Sequence, residues 1–163
     1  MLTLEPLRAD HADAVLAFER ENRAYFARTV PDRGDAYFTP AGFAARHRAL
    51  LAEQDAGVCR FHVVLGEEGE LIGRVNLMDL VDGSAELGYR VGERAAGRGV
   101  ATAAVAQACR LAAADYGLDS LTAVTTLDNL ASMAVLARNG FTRAGDTTVG
   151  GRPGVRHVRQ LGR

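Results

Sequence analysis

One stretch narrows the fold of this chain more than any other. Glu86-Leu87-Gly88-Tyr89-Arg90-Val91 reads as a strand, and the Ala/Val-rich residues from Val100 to about Tyr116 read as a helix. Between them runs Arg94-Ala95-Ala96-Gly97-Arg98-Gly99, so a loop with two glycines leaves a strand and opens a helix. Such a loop presents unpaired backbone N–H groups at the positive end of a helix dipole. That is an anion site, and phosphate is its usual guest. Gly97 and Gly99 have no Cβ to hold a pyrophosphate away. Arg98 adds a fixed charge and a planar donor fork.

Three nucleotide-handling patterns fit this loop unequally. A Walker A loop requires Gly-x-x-x-x-Gly-Lys followed by Ser or Thr, and the chain has no lysine, so that pattern is excluded. The dinucleotide fingerprint Gly-x-Gly-x-x-Gly is met at Gly97 and Gly99, with Asp119 at a suitable distance for a ribose contact. Its third small position holds Thr102, however, and too little chain follows for the rest of a doubly wound domain. The third pattern, Arg/Gln-x-x-Gly-x-Gly/Ala, is met in full by Arg94, Gly97 and Gly99. It resembles the acetyl-CoA loop of the GNAT superfamily of N-acetyltransferases. The resemblance implies that Tyr89, Arg90 and Val91 on the strand hold acetyl-CoA together with Arg94, Gly97, Arg98, Gly99, Val100, Ala101 and Thr102, without a metal.

Composition removes other chemistries. At 163 residues the chain suits one domain, here 1–163, with room for a real core. The formal net charge of −1 creates no global field for nucleic acid or an anionic membrane, and neither is expected as a partner. All 19 basic residues are arginines, so Schiff-base chemistry and lysine general bases are excluded. Cys59 and Cys109 share no motif, and Cys109 among alanines reads as a buried apolar thiol. His11, His47, His62 and His157 are scattered without metal-ligand spacing. The N-terminus carries Glu5, Arg8 and Asp10 with no apolar leader, and the longest uncharged run, Gly99 to Cys109, is too short to span a bilayer. The expectation is a soluble, cytosolic protein, monomeric or a homodimer.

In chain order, Leu2 to Leu7 alternates as a short strand that Pro6 places near an edge. Asp10 to about Ala27 reads as a helix capped by Asp10. Pro31 to Asp35 is a loop, and Thr39 caps a second helix with Pro40 at its first position and Gly57 beyond its end. Phe61–Leu65 and Leu71–Leu80 read as a hairpin across Gly66 to Gly69, and Asp82-Gly83 turns into a strand at Ala85 to Val91. Leu121 to Thr126 is a β-branched strand. Asp128 or Asn129 then caps a short helix that stops at Asn139-Gly140, with Phe141 packing back. Thr142–Val149 and Val155–Leu161 read as final strands joined by Gly150 to Gly154. The order β-α-α-β-β-β-α-β-α-β-β predicts an α+β fold with a mixed, mostly antiparallel central sheet flanked by helices. That order resembles the GNAT fold over the whole chain.

A second motif lies downstream. Asn129 to Phe141 is similar to the Asn-x-x-Ser-x-x-x-Leu-x-Lys/Arg-x-Gly-Phe segment of RimJ/RimL-type acetyltransferases. Taken alone, Asn129 caps a helix and Gly140 ends it; in order after the loop, the segment is far more specific. The resemblance implies that Asn129 holds pantetheine and that Ser132 serves the departing CoA sulfur. Leu136 stands where many superfamily members place an acidic tyrosine, which moves that role to Ser132. The resemblance implies that Glu86, on the strand entering the loop, is the general base, acting directly or through water; the chemistry needs one, because an ammonium must lose a proton before it attacks a thioester. Gly88 beside it is a site for a β-bulge that opens the strand edge. Tyr25, Phe26 and Phe38, with Glu86, are the expected acceptor contacts, part of an aromatic cluster that includes Tyr37. Arg156-His157 stand where relatives of this type often carry an acidic residue, which leaves the acceptor class open. The expected function is acetyl transfer from acetyl-CoA to a primary amine, a protein N-terminus or a small molecule, by direct attack. The alternatives are a non-catalytic acyl-CoA-binding module and, more distantly, a dinucleotide-binding fold.

Overall fold

Period-two alternation of apolar and polar residues yields seven strands in a computed structural model that describes residues 2–162. They are β1 (Thr3–Pro6), β2 (Arg60–Leu65), β3 (Leu71–Val81), β4 (Ser84–Val91), β5 (Ser120–Thr126), β6 (Thr142–Val149) and β7 (Arg152–Gln160). The helices are α1 (Ala12–Glu21), the single turn α2 (Arg23–Phe26), α3 (Pro40–Asp55), α4 (Val100–Ala114) and α5 (Leu130–Arg138). The strands form one sheet in the order β1-β2-β3-β4-β5-β7-β6. Every neighbouring pair is antiparallel except β4 and β5. The mixed, mostly antiparallel sheet expected from the sequence is the one found.

The turns explain the register. Asp82 and Gly83 both have left-handed backbone, φ 50° and 76°, the geometry that lets a two-residue hairpin follow the strand twist. Gly150 and Gly151 do the same, so the last hairpin is tighter than expected and β7 begins at Arg152 rather than Val155.

Side-chain alternation sorts the sheet into two faces. Val75, Leu77, Ala85 and Leu87 pack with Ala104, Val105, Ala108 and Ala112 of α4 and Leu136 of α5. The small α4 residues bring that helix close to the sheet. Phe61, Val63 and Met78 face the other way, against Val15 of α1 and Phe43 and Leu50 of α3.

The first helix is not continuous from Asp10. Asp10 takes a hydrogen bond from Arg8 rather than capping, and α1 starts at Ala12 after a short 3-10 turn. Asn22 then breaks it: its Nδ2 donates to Phe18 O at 2.9 Å, and its Oδ1 accepts from Glu93 N at 2.9 Å. A polar side chain that competes for backbone partners stops a helix, and here it also ties α1 to the loop after β4. Thr39 caps α3 as expected, accepting from Gly42 N.

Candidate active site

The parallel pairing of β4 with β5 covers only Ser84↔Ser120, Ala85↔Leu121 and Glu86↔Thr122. Beyond it the strands diverge. β4 from Leu87 to Val91 keeps β3 as a partner, and β5 from Ala123 to Thr126 keeps β7, so each has one open edge facing the gap. The expected bulge at Gly88 is absent. Gly88 sits in regular register with Asn76, and the irregularity lies across the ladder, between Met78 and Val81, where Asp79 has φ 54°. The edge is opened by divergence of the partner strand. The room beside Gly88 is partly filled, since a Cβ there would stand 3.0 Å from Met78 Cε.

A cleft of about 640 Å³ occupies the gap. Tyr89, Arg90, Val91, Gly97, Gly99, Val100, Ala101, Thr102, Asn129 and Ser132 line it, all singled out from the sequence as cofactor contacts, and so do Tyr25 and Phe26. Gly97 and Gly99 both have φ +76°, and nothing lies within 4 Å of where a Cβ would be. Left-handed backbone, rather than crowding by the protein, is what glycine supplies there. Gly99 precedes α4 as its cap residue, and the N–H groups of Val100, Ala101 and Thr102 have no intrahelical carbonyl to bind. They leave a row of donors at the positive end of α4 beside the cleft, where an anion could be held.

Other predicted residues lie elsewhere. Arg94 and Arg98 point to the outer side of the loop, into a second hollow of about 800 Å³ that also holds Glu67, Glu68 and Glu70. Arg94 is largely exposed and pairs with Glu21 at 2.6 Å. Phe38 does not line the cleft; it borders a small neighbouring hollow and carries Arg23 over its ring at 4.1 Å. Glu86 is half-buried on the α1–α3 face of β4, two residues before Gly88, and is not part of the cleft wall.

The hydroxyl of Tyr89 is what the sequence reading missed. It lies 2.8 Å from Ser132 Oγ, and either can donate. Burial pushes the phenol's pKa up, partly offset by this hydrogen bond. Two hydroxyls in contact, one phenolic and protonated at neutral pH, can pass a proton along the cleft wall. Asn129 keeps its bland role as well: its Oδ1 accepts from Ser132 N at 3.2 Å and caps α5. Asn139, legible only as a helix stop, donates from Nδ2 to Thr102 O at 3.2 Å and to Val135 O at 3.0 Å. It stitches the end of α5 to the first turn of α4.

His62, His157 and the two cysteines serve the fold. His62 contacts Tyr116 Oη at 2.6 Å and Val75 O, and burial lowers its pKa. His157 contacts Thr125 Oγ1 inside the β5–β7 pair. Cys59 and Cys109 are both buried, and burial pushes the Cys109 thiol up, away from the reactive thiolate. Among the described residues no helix is long and apolar enough to cross a membrane, and no three His, Cys, Asp or Glu side chains could hold a metal.

Residues 1–142 match the acetyltransferase (GNAT) domain family. The probable N-acetyltransferase YjcK of Bacillus subtilis strain 168 is 28% identical over 148 residues, 87% of this chain and 81% of that protein. A ribosomal-protein-S5-alanine acetyltransferase from Vibrio fischeri superposes with a TM-score of 0.90 at 20% identity, over 98% of this chain and 93% of that one. RimJ of Mycobacterium smegmatis, in complex with CoA-disulfide, gives 0.88 at 24% identity, over 98% and 81%. At these identities the two solved structures share the fold.

Proposed function

This chain belongs to the acetyltransferase (GNAT) family, and we propose that it is an N-acetyltransferase that moves the acetyl group of acetyl-CoA to a primary amine. The observation that carries the reading is the cleft itself. It brings the left-handed Gly97 and Gly99, the open start of α4, the unpaired edge of β4 and the Tyr89–Ser132 pair to one wall. A pyrophosphate fits the N–H groups of Val100 to Thr102. An extended pantetheine amide fits the free edge of β4 and the Nδ2 of Asn129. The thioester supplies an activated acetyl group and a leaving thiolate. We assign the whole of 1–163 to this one domain.

The chain's own part is positioning and proton movement. Backbone N–H groups along Tyr89 to Val91 polarise the acetyl carbonyl. Tyr89 and Ser132 deliver a proton to the departing sulfur. The amine approaches from the α1–α3 face, where Glu86 removes its proton through water. Asn76, directly across from Gly88, supports a wet path there, because its Oδ1 is buried and has no hydrogen-bond partner among the described residues. Titration with CoA followed by a panel of amines and N-terminal peptides, read by thiol release, tests the reading. Micromolar CoA binding with turnover of at least one amine supports it. CoA binding without turnover of any amine, in a protein with Glu86 and Ser132 intact, would favour the binding-module alternative.

A further inference from the structure

The charges on the α1–α3 side of the cleft narrow the acceptor. Glu19 of α1 is only 1% exposed and lies between two guanidinium groups. Arg74 Nη1 donates to its Oε2 at 3.1 Å and Arg90 Nη1 to its Oε1 at 2.9 Å. Arg74 and Arg90 face each other across the β3–β4 ladder, with side chains 6% and 21% exposed. One carboxylate shared by two guanidiniums leaves positive charge uncompensated in a poorly solvated place, which is costly until an anion arrives.

Arg33 adds to the excess. It stacks on the Tyr37 ring at 5.0 Å, and the Tyr37 hydroxyl is 3.5 Å from Arg74 Nη1. Arg33, Glu19 and Arg90 border one small hollow. The other carboxylate lining it, Asp32, takes two hydrogen bonds from Arg23, which also binds the exposed Asp35, and Arg33 has no carboxylate partner in that set. Arg90 is the charged side chain that borders both this hollow and the cleft, and its guanidinium lies 4.3 Å over the Phe26 ring. Among the described residues that line the cleft, the charged ones are Arg28, Arg90 and Arg138, of which Arg28 lies 3.9 Å from Glu93.

We propose that Arg90, steered by Glu19, recognises an anionic group on the acceptor, so that the substrate is a primary amine bearing a carboxylate. The inference rests on the N-acetyltransferase reading. A polycationic amine is disfavoured on the α1–α3 side, where Glu86 receives one amine but any second cation would meet Arg33, Arg74 or Arg90 in a partly desolvated site. The anion comes either from a small amino acid or from an acidic side chain beside a peptide's N-terminal amine. Burial, with Arg33 and Arg74 nearby, holds the Arg90 pKa below its usual value against the pull of Glu19, as expected of a cation short of counter-charge.

Calorimetric titration of the CoA-loaded protein separates the possibilities. The probes are β-alanine against β-alaninamide, Ser-Asp-Ala-Ala against Ser-Asn-Ala-Ala (both C-terminally amidated), and spermidine. The acidic member of at least one pair should bind about tenfold more tightly or better, the size of one charge-assisted pair of hydrogen bonds. The pair that shows the preference identifies the source of the anion. Arg90→Gln, checked for an intact circular dichroism spectrum, should abolish the preference. Arg33→Gln, at an exposed position and checked for fold in the same way, should reduce it by about threefold. Equal or tighter binding of both neutral members, or of spermidine, overturns the inference, as does a preference that survives in folded Arg90→Gln. If CoA itself does not bind the wild-type protein, the function reading fails and this inference with it; if CoA binds and the neutral probes win, only this inference fails.

Discussion

Replacing Tyr89 by Phe asks whether the Tyr89–Ser132 pair acts as one unit. Their oxygens are 2.8 Å apart in a partly buried setting, so the lost hydrogen bond is worth about 1 kcal/mol of stability. Asn129 still caps Ser132 N, so α5 starts as before. For a chain of this size such a loss lowers Tm by about 2–4 °C. If the pair forms one route for the proton to the departing sulfur, either substitution breaks that route. Tyr89→Phe, Ser132→Ala and the double variant should then each lower kcat by about 10-fold, equivalent to ~1.4 kcal/mol. The coupling energy in the cycle would nearly equal a single effect. Steady-state thiol release at saturating acetyl-CoA, with melts on the same four proteins, gives every term. A double variant slowed about 100-fold means two independent hydroxyls, and four equal kcat values mean a contact that only holds the fold; both refute the reasoning. Since burial raises the Tyr89 pKa above its usual 10.0, its ionisation should add no falling limb to the pH–rate profile below pH 10.

Gly99→Val places a β-branched residue at φ +76° in open space, so the fold should survive while CoA affinity falls by about 2 kcal/mol or more, measured by titration; equal affinity sinks the phosphate-loop assignment. Glu86→Gln should lower kcat on the order of 10²-fold with little change in CoA affinity, and a wild-type kcat on a verified acceptor would return Glu86 to a purely structural role. Stability should depend on pH through His62. Its folded pKa lies below the unfolded 6.5 because of burial, so its contribution is complete above pH 6.5 and is lost as pH falls toward the folded value. Melts from pH 7.5 to 5 should slope downward in the wild type and less steeply in a folded His62→Gln; parallel slopes would remove His62 as the cause.

The sequence made the order of elements legible because each carried local chemistry: Asp82-Gly83 for a hairpin, Thr39-Pro40 for a helix start, alternating apolar residues for strands. It made one wall of the cleft legible because glycine loop and helix start are contiguous in the chain. What it hid depends on contacts across many residues. Tyr89 and Ser132 meet only when β4 and α5 pack, and no local pattern links them. Asn22 reads as one polar residue in a helix until Glu93 is brought to its side chain. The bulge was placed at Gly88 because glycine marks weak points in strands, but the opening arises from where β5 stops pairing. Arg94 and Arg98 belong to the loop motif, yet they line the hollow on its outer side, while Gly97 and Gly99 of the same loop line the cleft.

The divergence of β4 from β5 has a consequence for the protein's life before it meets a ligand. Most sheets have edges only at their sides; this one has them in the middle too, along Leu87 to Val91 and Ala123 to Thr126. Unpaired rows of amides and carbonyls are templates for stray strands from other chains. Here the seam of three paired residues pinches the tip of the wedge, and Ala95 to Gly97 and Gly99 help to wall it, so a foreign strand meets a tapering slot rather than a parallel one. A bound pantetheine arm would complete the shielding.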